Sequence, residues 1–144
     1  MHGYNGKILR VDLSESKTWI EEHDEEFYRR YIGGRGFIAY YLLKETDQDT
    51  DPLGPENLLI FALGAVTGSP IPGAGRHSVG AISPLTGGYG EAEAGGYWGA
   101  ELKRAGFDAI VIRRTSEKPV YFWVHDGRAE IRDATHIWGM KTKE

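Results

Sequence analysis

The sequence predicts an α+β fold, a mostly antiparallel or mixed sheet with a few helices. Segments with strand character come in runs and do not alternate strictly with helical ones. Helical spacing of apolar residues is confined to three segments, and no period of roughly 20 to 50 residues repeats along the chain.

Lys7 to Leu13 alternates, with Ile8, Val11 and Leu13 apolar around Arg10 and Asp12. The polar turn Ser14-Glu15-Ser16-Lys17 leads from it into Thr18 to Glu22, and together they read as a β-hairpin. Asp24 suits the N-cap of a helix running through Tyr31, because a carboxylate there accepts from a free amide of the first turn; Gly33-Gly34 stops that helix. A second helix, Phe37 to Lys44, has too many apolar residues for one exposed face and is expected to be well buried. The turn Asp51 to Asn57 delivers the chain into Leu58 to Leu63, an unbroken apolar run suited to a central strand. His77 to Ile82 alternates weakly as another strand. No strand or helix is read between Ser83 and Gly96, and Tyr97 to Ala105 reads as a helix with Trp98, Leu102 and Ala105 on one side. Asp108 to Ile112, Val120 to Val124 and Ala129 to Arg132 read as three short strands, the last two joined at His125-Asp126-Gly127. Thr142 reads as an N-cap with no helix after it, so residues 1–144 are expected to form a single, partial domain of a longer chain.

Composition narrows the chemistry. The net charge of -4 comes from scattered residues, 17 basic and 21 acidic, so no cationic stripe tracks a phosphate backbone and nucleic acid is an unsuitable partner. With no cysteine there is no disulfide, thiolate metal site or cysteine-held iron–sulfur cluster within the chain. The first residues lack the apolar core of a signal peptide and no stretch approaches the ~20 apolar residues of a membrane span, which leads us to expect a soluble, cytoplasmic protein. Glycine stands out. Ten of the 20 glycines fall between Gly64 and Gly96, where the charged residues are Arg76, Glu91 and Glu93.

That segment holds the candidate sites. Gly64 to Arg76 leaves an apolar strand as a loop of Gly, Ser, Thr and Pro bearing one arginine, a pattern in which glycine amides and a planar guanidinium can grip a phosphate; a surface turn with a solvated arginine explains it equally well. Gly95-Gly96 directly precedes a helix, whose free amides favour an anion, although glycines that merely permit a tight loop would look the same. Glu91 and Glu93 can cap that helix or hold a divalent cation. For Gly33-Gly34-Arg35-Gly36, a helix C-cap followed by a tight turn is favoured over a ligand contact. The five histidines lack ligand spacing, and no metal ligand is assigned.

At these residues the sequence resembles the aldehyde:ferredoxin oxidoreductase family of tungstopterin enzymes. The matching stretches, in family order, are Gly3-Tyr4-Asn5-Gly6-Lys7, Gly33-Gly34-Arg35-Gly36, Asp51 to Asn57, Thr67-Gly68 through Gly75-Arg76, Ser83 to Gly87, Gly95-Gly96 through Ala109, Glu117 to Tyr121 and Asp133 to Gly139. The resemblance implies the first half of that family's N-terminal domain and a parent enzyme that oxidises aldehydes to carboxylates and passes electrons to ferredoxin. It implies a tungstopterin or molybdopterin cofactor contacted by Arg76, Glu93, Gly95 and Gly96, with Arg76 on the side facing a 4Fe-4S cluster that this chain does not ligate. It also implies Mg2+ between the cofactor phosphates, helped by a backbone carbonyl. Glu93 departs from the asparagine of family members. The implied partners are the rest of the parent enzyme or a partner subunit, ferredoxin for the full enzyme, and a second copy of the chain through an uncovered apolar face. A non-catalytic assembly module that keeps the fold without the cofactor is the alternative.

Overall fold

The computed structural model describes residues 2–141 and 143. In chain order the elements are β1 (Lys7–Asp12), β2 (Lys17–Glu22), α1 (Glu25–Tyr31), α2 (Arg35–Glu45), β3 (Leu58–Leu63), β4 (His77–Ile82), β5 (Tyr89–Ala94), α3 (Trp98–Arg104), β6 (Ala109–Arg113), β7 (Val120–His125) and β8 (Arg128–Asp133). Six strands form one sheet in the order β2-β1-β6-β3-β4-β5, while β7 and β8 make a separate hairpin. Within the six-stranded sheet β1 and β6 run parallel and every other neighbouring pair is antiparallel. The fold is therefore α+β with a mixed, mostly antiparallel sheet, as the runs of strands implied.

Core packs on both faces of the central strands β1 and β6 and of the C-terminal end of β3, which explains their near-continuous apolar character, while Leu59 on the second face stays 42% exposed. Successive side chains point to opposite faces. On one face Ile8, Leu58, Ile60, Ala62, Ala109 and Val111 meet Phe27 and Tyr28 of α1 and Phe37, Ile38, Tyr41 and Leu42 of α2. On the other, Leu9, Val11, Leu63, Ile110 and Ile112 meet Leu102 of α3, Phe107, and Phe122, Val124, Ala129 and Ile131 of the β7–β8 hairpin. Each large apolar side chain fully withdrawn from water in this way contributes about 1.5–3 kcal/mol.

The caps follow the sequence closely. The Asp24 carboxylate accepts from the Phe27 amide at 2.9 Å, and α1 closes when Ile32, at φ 64, donates its amide to the Tyr28 carbonyl at 2.9 Å. Gly33 then takes φ 127, and a Cβ there would stand 2.3 Å from the Leu63 carbonyl oxygen, so the α1–α2 joint seats on the end of β3 only because Gly33 is glycine. The N-cap read at Thr142 lies outside the described residues.

One strand was not foreseen. Tyr-Gly-Glu-Ala-Glu-Ala has no β-branched residue, yet it pairs with β4 along its length as β5. It is an edge strand with much of its surface in solvent, where partner amides decide the conformation and charged side chains discourage pairing with another chain.

Candidate functional site

One end of the sheet carries the candidate site. Antiparallel pairing sets the C-terminal ends of β3 and β5 beside the N-terminal end of β4, with Leu63 opposite His77 and His77 opposite Ala94. The loop from Gly64 to Arg76 joins β3 to β4 there. Buried Thr67 ties its two ends together: its Oγ1 accepts from the Gly64 amide at 2.9 Å and donates to the Arg76 carbonyl at 3.0 Å. The Gly68 amide donates to the Ala74 carbonyl at 2.8 Å across the same loop. The two glycine-rich segments touch, because a Cβ on Gly75 would stand only 2.4 Å from the Gly96 carbonyl oxygen.

Support for the loop comes from beneath. The Asp108 carboxylate, wholly buried, accepts from the Asn5 amide at 2.9 Å, the Gly6 amide at 2.8 Å and Lys103 Nζ at 2.6 Å. Lys103 Nζ also donates to the Gly64 carbonyl at 3.3 Å, so the first residue of the loop is held through this buried pair.

The charged groups meet above the loop. Arg35, the first residue of α2, donates from Nη2 to Glu93 Oε1 at 2.9 Å, and Arg76 donates from Nη1 to Glu93 Oε2 at 3.4 Å. Arg35 Nε lies 3.4 Å from Glu91 Oε2. Both guanidiniums are about two-thirds exposed, 68% for Arg35 and 67% for Arg76. With the Gly33, Gly34, Gly64 and Gly73 backbone they line a cavity of about 280 Å³. A phosphate-bearing group fits these surroundings: nothing stands within 4 Å of where a Cβ would be at Gly73, leaving its backbone open to close approach, and Gly95 and Gly96, outside the cavity lining, are equally open.

The structure thus brings Arg76 and Glu93 into one ion pair, while Gly95 and Gly96 sit exposed beside the cavity and do not line it. Glu91 and Glu93 belong to β5 and do not cap α3, whose N-cap residue Tyr97 makes no side-chain cap bond. Arg35 was missed. Its signal, an arginine set among three glycines, was present, but a helix cap accounted for the glycines and concealed that Gly33 and Gly34 also face the cavity. A larger cleft of about 590 Å³ lies between α3 and the β7–β8 hairpin, lined by Phe61, Trp98, Phe122 and Trp123. It lacks glycine backbone and convergent guanidiniums, so the smaller cavity is the better anion site.

His77 stands at the floor of the site, its ring 4.5 Å from that of Trp98. Burial pushes its imidazole pKa below the ordinary value. For His23 burial has the same net effect, with Glu21 opposing it and Lys44 assisting. The unfolded chain therefore takes up these protons first, near pH ~6.5, so the stability they contribute is present above that pH and lost as pH falls below it. The urea midpoint is expected to drop between about pH 7.5 and about pH 5.5, with smaller drops in His77→Gln and His23→Gln. A midpoint that rises on acidification would show the folded rings charged.

The fold and site define a mixed-sheet α+β domain that gathers glycine backbone and exposed, carboxylate-paired guanidiniums at one end of its sheet. The particular kind follows from relatives. The family model for the aldehyde ferredoxin oxidoreductase N-terminal domain matches residues 8–144, and the chain belongs to that family. It is 51% identical to the tungsten-containing aldehyde ferredoxin oxidoreductase of Pyrococcus furiosus over 144 residues, covering 100% of this chain and 24% of that one. It is 42% identical to the aliphatic sulfonate oxidoreductase, WOR-like subunit, of the same organism over 97% of this chain and 23% of that one. Among solved structures it is similar to the active site complex BamBC of benzoyl coenzyme A reductase in complex with 1,5-dienoyl-CoA, with TM-score 0.92 and 37% identity over 96% of this chain and 21% of that one. The chain spans about a quarter of the length of the curated relatives it matches.

Proposed function

We propose that this chain is the N-terminal tungstopterin-binding part of a longer, cytoplasmic, tungsten-dependent aldehyde oxidoreductase, and that it grips the phosphates of the cofactor. The observation that carries the reading is the convergence of Arg76 with open glycine backbone at one end of the sheet, in a chain 51% identical to a tungsten-containing relative. Arg76 supplies a fixed positive charge and parallel donors suited to phosphate oxygens. Thr67 and Lys103 hold the loop that presents it. When bound, the tungsten cofactor supplies the redox change by which the parent enzyme oxidises an aldehyde to a carboxylate.

Among the described residues no three His, Cys, Asp or Glu side chains gather as a metal site. A magnesium ion between cofactor phosphates would accordingly draw on those phosphates, backbone carbonyls and at most Glu93. With no cysteine in the chain, the 4Fe-4S cluster would be held by the rest of the parent enzyme or a partner subunit, as would the ferredoxin contact and aldehyde pocket. Exposed Val66, Ile71 and Tyr97 beside the site offer apolar surface for that remainder, or for self-association of the isolated chain.

The test is Arg76→Ala in the assembled enzyme. A hydrogen bond to a charged group is worth about 1.5–3 kcal/mol, so cofactor retention should fall about tenfold or more, read as tungsten and pterin per polypeptide. Arg29→Ala, on the exposed face of α1, serves as the control and should change neither. Unchanged tungsten in the Arg76 variant would overturn the reading, whereas a parent chain that forms a stable oligomer but recovers no tungsten, molybdenum or pterin from a competent host would favour a non-catalytic assembly module.

A further inference from the structure

The two guanidiniums above the loop share one carboxylate. Arg35 takes one oxygen of Glu93 and Arg76 the other, from elements 41 residues apart in sequence, 35 against 76. Arg35 reaches this point because Gly33 and Gly34 fold the α1–α2 joint onto the end of β3, where the Gly34 amide donates to the Leu63 carbonyl at 3.0 Å. Both arginines remain largely exposed although paired, so neither is buried as a structural ion. The group they share lies at the mouth of the glycine-lined cavity.

We infer that Arg35 is a second clamp for the phosphate held by Arg76, and that Glu93 is an internal counter-ion that occupies the clamp and is exchanged for the phosphate on binding. The inference rests on the phosphate-gripping reading above. A tetrahedral phosphate offers oxygens to two guanidiniums at once, as the carboxylate does, and adds further acceptors for the loop amides. The charge balance explains why the exchange is needed: Arg35, Arg76, Glu91 and Glu93 together sum to zero, so an incoming phosphate meets no net attraction until Glu93 withdraws. Glu93 can withdraw cheaply, because it stands on an edge strand, is 39% exposed, and is held by exposed ion pairs worth about 0.2–1 kcal/mol each. The device makes the site selective. A weakly charged anion cannot displace the carboxylate, whereas a diphosphate or phosphate monoester, with more charge and more acceptors, can.

The experiment is calorimetric titration of the 144-residue chain with inorganic pyrophosphate, in metal-free buffer and again with magnesium. Glu93→Gln is expected to bind about fivefold more tightly than the parent chain in metal-free buffer, and Arg35→Gln about fivefold more weakly, as loss of one exposed ionic competitor or donor implies. A gain in affinity cannot come from misfolding, and both side chains are exposed. Equal or weaker binding by Glu93→Gln overturns the inference; weaker binding seen with magnesium alone would make Glu93 a cation ligand instead. Full affinity in Arg35→Gln with loss in Arg76→Gln removes Arg35 from the clamp while leaving the phosphate-gripping reading intact. Absence of binding in every chain, Glu93→Gln included, overturns that reading as well. A second arm identifies the source of the phosphate: when the chains are produced in a host that makes the pterin cofactor, Glu93→Gln should carry more pterin than the parent, read by fluorescence after oxidation. Equal pterin would overturn the cofactor as the ligand exchanged.

Discussion

Asp108→Ala is expected to cost about 4 kcal/mol of folding stability, the largest effect of any single substitution considered, because breaking a buried ion pair leaves its partner uncompensated. Asp108 is fully buried, and the Lys103 side chain paired with it is 13% exposed. Removing the carboxylate strands the Lys103 ammonium and the amides of Asn5 and Gly6 together. It also frees the Gly64 end of the candidate loop, since Lys103 is the bridge to the Gly64 carbonyl. Chemical unfolding followed by tryptophan fluorescence measures the loss, and a deficit below about 1 kcal/mol would show that water replaces the carboxylate at little cost. The exposed pair Arg29–Glu25 gives the contrast: its removal should cost well under 1 kcal/mol.

Arg10→Met should cost about 3 kcal/mol for a related reason on the opposite face of β1. The guanidinium, 5% exposed, makes two parallel bonds to Glu45 at 2.7 and 2.5 Å and a third to Glu21 at 3.2 Å. It lies 5.1 Å from the ring centre of Tyr41, whose hydroxyl donates to Glu21 at 3.1 Å. Burial, reinforced by the Glu21 charge, pushes the Tyr41 pKa well above the ordinary phenol value, so that hydroxyl stays a donor at every working pH. The network joins β1, β2 and the C-terminal end of α2. A paired polar group and its apolar replacement often differ little, whereas a broken pair is costly, so Arg10→Met/Glu45→Leu should regain a third or more of what Arg10→Met loses. If the double variant is less stable than the single one, the Glu45 carboxylate has a role beyond answering Arg10.

Much of this architecture was legible in the chain because its cause is local. Asp24 caps α1 through its own side chain, most of Leu58 to Leu63 is apolar because β3 packs against core on one face throughout and on the other at Phe61 and Leu63, and the turn at His125-Asp126-Gly127 carries the positive φ values, 44° at Asp126 and 74° at Gly127, that a tight hairpin needs. The concentration of glycine between Gly64 and Gly96 likewise marked the segment where backbone must come close to backbone, as Gly75 and Gly96 do. What escaped was non-local. The sequence Tyr-Gly-Glu-Ala-Glu-Ala becomes a strand because β4 offers it a row of unpaired backbone groups. Gly33-Gly34-Arg35-Gly36 is a sufficient cap on its own, and that local use masked its second use at the cavity.

The sequence by itself determined the α+β class, most of the elements, the glycine-rich segment and, through ordered motifs, membership of the aldehyde ferredoxin oxidoreductase family. Those depend on side-chain period, caps and backbone freedom, all written within a few residues of one another. Tertiary structure alone decided that Arg35, Arg76 and Glu93 share one ionic contact, that Asp108 braces the loop through Lys103, and that Arg10 is buried between two carboxylates. Such contacts join residues tens of positions apart. They depend on strand order and register, which the packing of the whole sheet sets and no short segment encodes.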